Sequence, residues 1–176
     1  LDISEIRDRV TRVLKGHIAI ATLRFPKGVA GPHIDALARR ALWDVGLDYD
    51  HGTGHGVGAY LNVHEGPCGI SRAARPVALA PGMVISNEPG FYLPGRWGIR
   101  LENLELVVER GGANRPFLGF ESLSLAPFDR RLIDALLLSA DERAWVDAYH
   151  ARVLEELQPL VGDAAGWLER ACAPLT

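Results

Sequence analysis

Residues 51–67 read HGTGHGVGAYLNVHEGP. His51, His55 and His64 stand here among glycines, three of the six histidines in the chain. Two histidines four residues apart suggest the helical metal-binding pattern HExxH. Gly52, Gly54, Gly56 and Gly58 argue against a helix, since each costs on the order of 1 kcal/mol in a helix interior. In an extended segment His51 and His55 share a face but lie about 13 Å apart, at roughly 3.3 Å per residue. One ion cannot take both, so the spacing predicts separate roles. The glycines predict close approach of another backbone or of a substrate. A glycine-rich turn whose histidines bond backbone carbonyls is the competing reading.

Two further stretches place acids where acids are unusual. In SNEPGFY, residues 86–92, Glu88 follows the apolar run Met83 to Ile85 and so falls at or just past a strand end. Pro89 and Gly90 bend the chain after it. In GIRLENLELVV, residues 98–108, an unbroken strand puts Arg100, Glu102, Leu104, Leu106 and Val108 on one face. If that face is buried, a carboxylate is buried with it, which is costly unless paired or metal-bound. An Arg100–Glu102 pair at a sheet edge is the plainer alternative. Together, one imidazole and two carboxylates suit a borderline-hard divalent ion such as Mn²⁺, Co²⁺ or Zn²⁺.

Around this middle the pattern is helical. Ile6, Val10, Val13, Leu14, Ile18 and Ala21 keep helical spacing within residues 5–23. FPKGVAGP, residues 25–32, breaks the chain, and Pro32 suits the first position of a second helix ending near Gly46. MVIS, GFYL and GIRLENLELVV read as strands of an antiparallel sheet. DRRLIDALLL and ADERAWVDAYHARVLEEL read as helices, and GWLERA as a short closing turn. Helices, strands, then helices predict an α+β fold, with no internal repeat.

Bulk properties narrow the function. At 176 residues, 48% hydrophobic and 23% charged, the chain has ordinary globular composition. A net charge of −3 without long runs of one sign speaks against nucleic acid or an anionic membrane as partner. No apolar run approaches the roughly 20 residues of a membrane span. Cys68 and Cys172 lie far apart in no metal-type spacing, so a reducing, cytoplasmic setting is expected.

The three central stretches, in order, resemble the catalytic domain of Xaa-Pro aminopeptidases (aminopeptidase P), in peptidase family M24. VLKGHIA (13–19), LARRALWDVGLDYD (37–50), LAPFDRRLI (125–133) and WVDAYH (145–150) extend the likeness over nearly the whole chain. The resemblance implies a partial pita-bread fold, the fold shared with prolidase, creatinase and methionine aminopeptidase. Residues 1–110 would be the partial catalytic domain and 111–176 a helical extension packing on it.

The resemblance also implies a site. Two divalent ions, usually Mn²⁺, would be held by two aspartates, one histidine and two glutamates. His55 matches the histidine ligand, Glu88 a glutamate sharing its ion, and Glu102 the bridging glutamate. His51 and His64 match histidines that contact substrate or intermediate, and Arg100 an arginine that supports the site. A metal-activated water would hydrolyse the N-terminal bond of peptides with proline second. The aspartates belong to a DSGxxYxDGTTD-like motif upstream of VLKGHIA, and neither Asp2 nor Asp8 fits it. With Leu1 in place of Met, the chain reads as a fragment or a truncated gene product, expected to be inactive alone. A prolidase-like dipeptidase is the nearest rival, and a non-catalytic binding or oligomerisation module the rival of another class. Aminopeptidase P relatives are often dimers, so a homodimer is compatible with the resemblance, though nothing in the tail demands it.

Overall fold

The computed structural model describes residues 3–175; Leu1, Asp2 and Thr176 lie outside the described residues. The elements run α1 (Ile3–Ala21), β1 (Arg24–Pro26), α2 (Asp35–Trp43), β2 (Gly54–His55), β3 (Gly69–Ile70), β4 (Val84–Asn87), β5 (Gly90–Leu93), β6 (Trp97–Arg100), β7 (Asn103–Arg110), β8 (Phe117–Ser122), α3 (Ala140–Leu157) and α4 (Ala165–Ala171). The α+β reading stands. Two compact units divide the chain: Val13–Ser124, and the residues up to Arg12 together with those from Leu125 onward.

The larger unit is built on a four-stranded antiparallel sheet in the order β1-β8-β7-β4, with β2-β3 and β5-β6 as separate two-stranded pairs. Ile20, Phe25, Ile34, Ala38, Ile70, Ile85, Val107 and Leu118 pack together as its core. Apart from Ala38, each such side chain contributes about 1.5–3 kcal/mol by leaving water. A second cluster gathers Val13, Leu42, Tyr49 and Phe91. Val13, Ile18, Ile20 and Leu42 are buried as the helical spacing of α1 and α2 requires.

GIRLENLELVV is not one strand. It breaks at Leu101–Glu102 into β6, paired with β5, and β7, paired with β4 and β8. The alternation runs through the break unchanged, and the face that turns inward is that of the odd-numbered residues. Asn103, Glu105 and Val107 are buried, whereas Leu104, Leu106 and Val108 are only half-buried and Glu102 is exposed. The buried acid of β7 is therefore Glu105, whose carboxylate accepts both contacts of the Ser122 hydroxyl, at 2.9 and 2.8 Å. The expected division after residue 110 falls in the connection before β8, and β8 itself pairs with β7 and β1.

In the smaller unit Phe128, Trp145, Tyr149 and His150 form a ring cluster, with Trp145 and Tyr149 stacked at 5.4 Å. α3 begins in a capping box between Ser139 and Glu142. DRRLIDALLL, expected as a helix, is one 3-10 turn, Arg130–Leu132, followed by turns. Its aspartates explain this. Asp129 accepts from the Arg131 backbone N–H and Asp134 from that of Leu136, local bonds that compete with a helical ladder. The Asp134 N–H donates to Thr11 at 2.8 Å. Both cysteines are free thiols.

Candidate metal centre

The site is built where β2 crosses the end of β4. His55 closes β2, and Glu88 follows β4 directly. The strands approach so closely that a Cβ at Gly54 would lie 1.8 Å from the Ser86 carbonyl oxygen, so glycine is required there. The Glu88 N–H donates to the Thr53 carbonyl at 2.8 Å, and the His55 N–H to Ser86 Oγ at 3.0 Å.

The His55 ring is oriented by its own backbone. Nδ1 lies 2.9 Å from the Gly56 carbonyl, which has no proton to give, so Nδ1 donates and Nε2 keeps its lone pair when the ring is neutral. That Nε2 sits 3.1 Å from Glu88 Oε1. Two acceptors at this distance need a proton or a cation between them. A ligand histidine whose other ring N–H is held by a carbonyl is the usual arrangement at metals. Glu88 is 7% exposed, and its carboxylate is fixed from both sides. Ser86 donates to Oε1 at 2.9 Å, and Arg100 Nη1 lies 3.3 Å from Oε2. The His64 ring, otherwise exposed, stacks 4.0 Å from the His55 ring.

His51 belongs to a second part of the same surface. Its Nδ1 donates to the Gly52 carbonyl at 2.8 Å, which leaves Nε2 to accept from the Tyr92 hydroxyl at 2.9 Å. Tyr92 in turn accepts from Arg100 Nε at 2.8 Å. The chain His51–Tyr92–Arg100–Glu88–His55 thus joins four of the residues singled out in the sequence. Partial burial works against the Arg100 charge. The Tyr92 hydroxyl and the Glu88 and Glu102 carboxylates outweigh it and hold the Arg100 pKa above its ordinary value.

Glu102 is the exception. It lies exposed between β6 and β7, and it is not gathered with His55 and Glu88. Among the described residues, no three His, Cys, Asp or Glu side chains are close enough together to hold an ion. The donor chemistry of His55 and Glu88 fits a divalent cation; a full set of ligands is not assembled among the described residues.

Ser86 and Tyr92 were missed in the sequence. Ser86 was legible, because alternation on a strand puts it on the face of Glu88. Tyr92 was not, since its role depends on β5 pairing with β6 so that Gly90 faces Arg100. A Cβ at Gly90 would lie 2.7 Å from the Tyr92 hydroxyl and 3.0 Å from His51 Nε2.

A family model described as metallopeptidase family M24 matches residues 2–109. The chain belongs to that family. A second model, the C-terminal region of the M24 peptidases, matches residues 116–175. Among curated M24 relatives, a probable Xaa-Pro aminopeptidase P of Laccaria bicolor is 51% identical over 174 residues, covering 94% of this chain and 27% of the relative. One of Fusarium vanettenii is 50% identical over 176 residues, covering 95% and 28%. The X-prolyl aminopeptidase of Caenorhabditis elegans, described as a cytosolic enzyme with a di-nuclear active site, superposes with a TM-score of 0.91 at 46% identity. That match covers 97% of this chain and 29% of the neighbour. The Xaa-Pro dipeptidase of Bacillus anthracis gives 0.57 at 30% identity, over 70% and 32%. This M24 chain therefore has part of the pita-bread fold and spans less than a third of those relatives. Among the described residues no helix is long and apolar enough to cross a membrane.

Proposed function

We propose that this chain carries the histidine–glutamate side of a dinuclear metal centre in a Xaa-Pro aminopeptidase. The observation that carries the reading is the His55 lone pair facing the Glu88 carboxylate at 3.1 Å. His55, Glu88 and the exposed Glu102 are the proposed ligands. Mn²⁺ is the expected ion, and Co²⁺ and Zn²⁺ suit the same donors. Ions held there would supply a water acidic enough to act near neutral pH.

The other residues have separate tasks. Glu88, steadied by Ser86 and Arg100, accepts a proton. His64 offers a donor beside His55 for charge developing on the substrate carbonyl oxygen. His51, aimed by Tyr92, lines the surface that receives the peptide. The proposed substrates are peptides with proline second, and the proposed setting is the cytoplasm, in line with the C. elegans relative. The aminopeptidase is favoured over a dipeptidase because the Laccaria, Fusarium and C. elegans relatives named as X-prolyl aminopeptidases are 46–51% identical to the chain and the B. anthracis dipeptidase 30%. Alone, the chain is expected to bind metal weakly and to hydrolyse little, since two donors converge rather than five.

A non-catalytic module is the second reading, favoured by the dispersed position of Glu102. One experiment separates the readings. This chain is substituted for the matching part of the C. elegans enzyme, and the chimera is supplied with Mn²⁺ and assayed on Xaa-Pro-Xaa, Xaa-Pro and Xaa-Ala-Xaa peptides. Cleavage of the first, lost in His55→Ala, is expected. Cleavage confined to the dipeptide supports the prolidase-like alternative. A folded chimera that cleaves none of them supports the module.

A further inference from the structure

Behind the histidine segment lies a buried ion pair that the proposed chemistry does not use. Arg39 and Asp35, one turn apart on α2, are 1% and 2% exposed. A buried pair of this kind is a poor source of stability, because desolvating both charges offsets their attraction, and apolar residues of similar volume often serve as well. Its bonding pattern shows what else it does.

An arginine has five N–H donors in a rigid fork. Arg39 uses all five. Nε donates to Asp35 Oδ2 at 2.8 Å, and Nη2 to Asp35 Oδ1 at 3.3 Å. Nη1 donates to Asp48 Oδ1 at 2.8 Å and to the Tyr49 carbonyl at 2.6 Å. The remaining Nη2 proton goes to the His51 carbonyl at 2.7 Å. The guanidinium also lies 3.9 Å from the centre of the Tyr49 ring, and that ring lies 4.8 Å from the His51 ring. The backbone on both sides of Asp50 is thus tied to one side chain of α2.

Asp35 extends the same hold to Glu88. Its Oδ1 accepts from the Thr53 hydroxyl at 2.6 Å. With that proton committed, Thr53 Oγ1 accepts from the Tyr49 hydroxyl at 2.6 Å. The Thr53 carbonyl receives the Glu88 N–H. Two bonded links therefore connect the ion pair to the backbone of Glu88, and one connects it to that of His51.

We propose that Arg39, with Asp35, is a positioning residue: it sets the backbone of His51–Thr53, and through Thr53 that of Glu88, so that the imidazole and the carboxylate meet in register. The inference deepens the proposed peptidase reading and rests on it for its functional meaning. Lysine keeps the charge but offers three donors from one point, so it cannot bridge α2 to two carbonyls and two carboxylates at once.

The test is amide hydrogen exchange with ¹⁵N spectra of the histidine rings, in the metal-free 176-residue chain, comparing wild type with Arg39→Lys. The expected result is exchange at least about tenfold faster at the Glu88 and His55 amides, with the Val107 amide of the sheet changed by less than about twofold. His51, held as its Nδ1–H tautomer in the wild type, should become a mixture. Unchanged exchange and tautomer overturn the proposal. So does a uniform rise at every amide, which marks a merely structural role. Should Arg39→Lys fail to fold, Thr53→Val decides: it leaves the ion pair in place and must still accelerate the Glu88 amide alone, and an unchanged Glu88 amide overturns the proposal. The readouts need neither metal nor substrate. A local loosening beside an inactive chimera would sink only the peptidase reading, and an active chimera beside an unmoved Glu88 amide would sink only this one.

Discussion

His55 Nε2 and Glu88 Oε1 face each other at 3.1 Å, and Ser86 touches both residues, accepting from the His55 N–H and donating to Glu88 Oε1. Ser86 therefore couples the two proposed ligands without being one. Removing a partner that orients a ligand typically costs 10–100-fold in metal affinity, as an order of magnitude. Ser86→Ala is expected to weaken Mn²⁺ binding by about tenfold and Glu88→Gln by about 100-fold, read from the free-ion signal in paramagnetic resonance. Equal affinity in Ser86→Ala and wild type would show that the serine holds the strands and not the site.

Gly54 gives a test of the crossing itself. An added methyl would sit 1.8 Å from a backbone oxygen that cannot step aside without moving β4. Gly54→Ala should destabilise the chain by about 3 kcal/mol, the upper end for overpacking, in urea unfolding. A loss under about 1 kcal/mol would mean that β2 and β4 separate easily.

His150 predicts a pH dependence. It is fully buried, and its Nε2 accepts from the Phe128 N–H at 3.0 Å. Burial first, then the charge of Arg130, lowers its pKa to about 4 from an ordinary 6.5. As pH falls through 6.5 the unfolded chain takes up a proton that the folded chain refuses until about 4. Stability is therefore whole above 6.5 and is lost on descending toward 4, by at most about 1.4 kcal/mol per pH unit from this group. His150→Gln should flatten that slope in urea titrations at pH 7, 6 and 5, and an unchanged slope would assign the acid sensitivity elsewhere.

The cap of α3 makes a smaller, separate prediction. Ser139 Oγ accepts from the Glu142 N–H at 3.1 Å, and Glu142 returns a bond to the Ser139 N–H at 2.7 Å. Ser139→Ala should cost about 1 kcal/mol in unfolding free energy, and Ser139→Asp much less. Equal losses for both would mean that the cap is not limiting.

The helices α1, α2 and α3 were legible because an apolar stripe at three- and four-residue spacing is a local property. The tail segment DRRLIDALLL has the same stripe but is not helical. Its aspartates and Thr11 offer the backbone other partners, and Thr11 is more than a hundred residues away. The continuous texture of GIRLENLELVV concealed the break at Glu102 for a related reason. Pairing with β5 on one side of it and with β4 and β8 on the other decides which face is buried.

The sequence alone determined the α+β class, the extended glycine-rich segment and the position of Glu88 at a strand end. These follow from backbone preference and from reach along the chain, which neighbouring residues set. Only the tertiary structure decided that Glu105 and not Glu102 is the buried acid of β7, that Tyr92 joins His51 to Arg100, and that Arg39 stands behind the histidines. Each depends on strand register or helix placement, which bring together residues distant in sequence, and a hydrogen bond forms only when its atoms arrive within about 3 Å of each other.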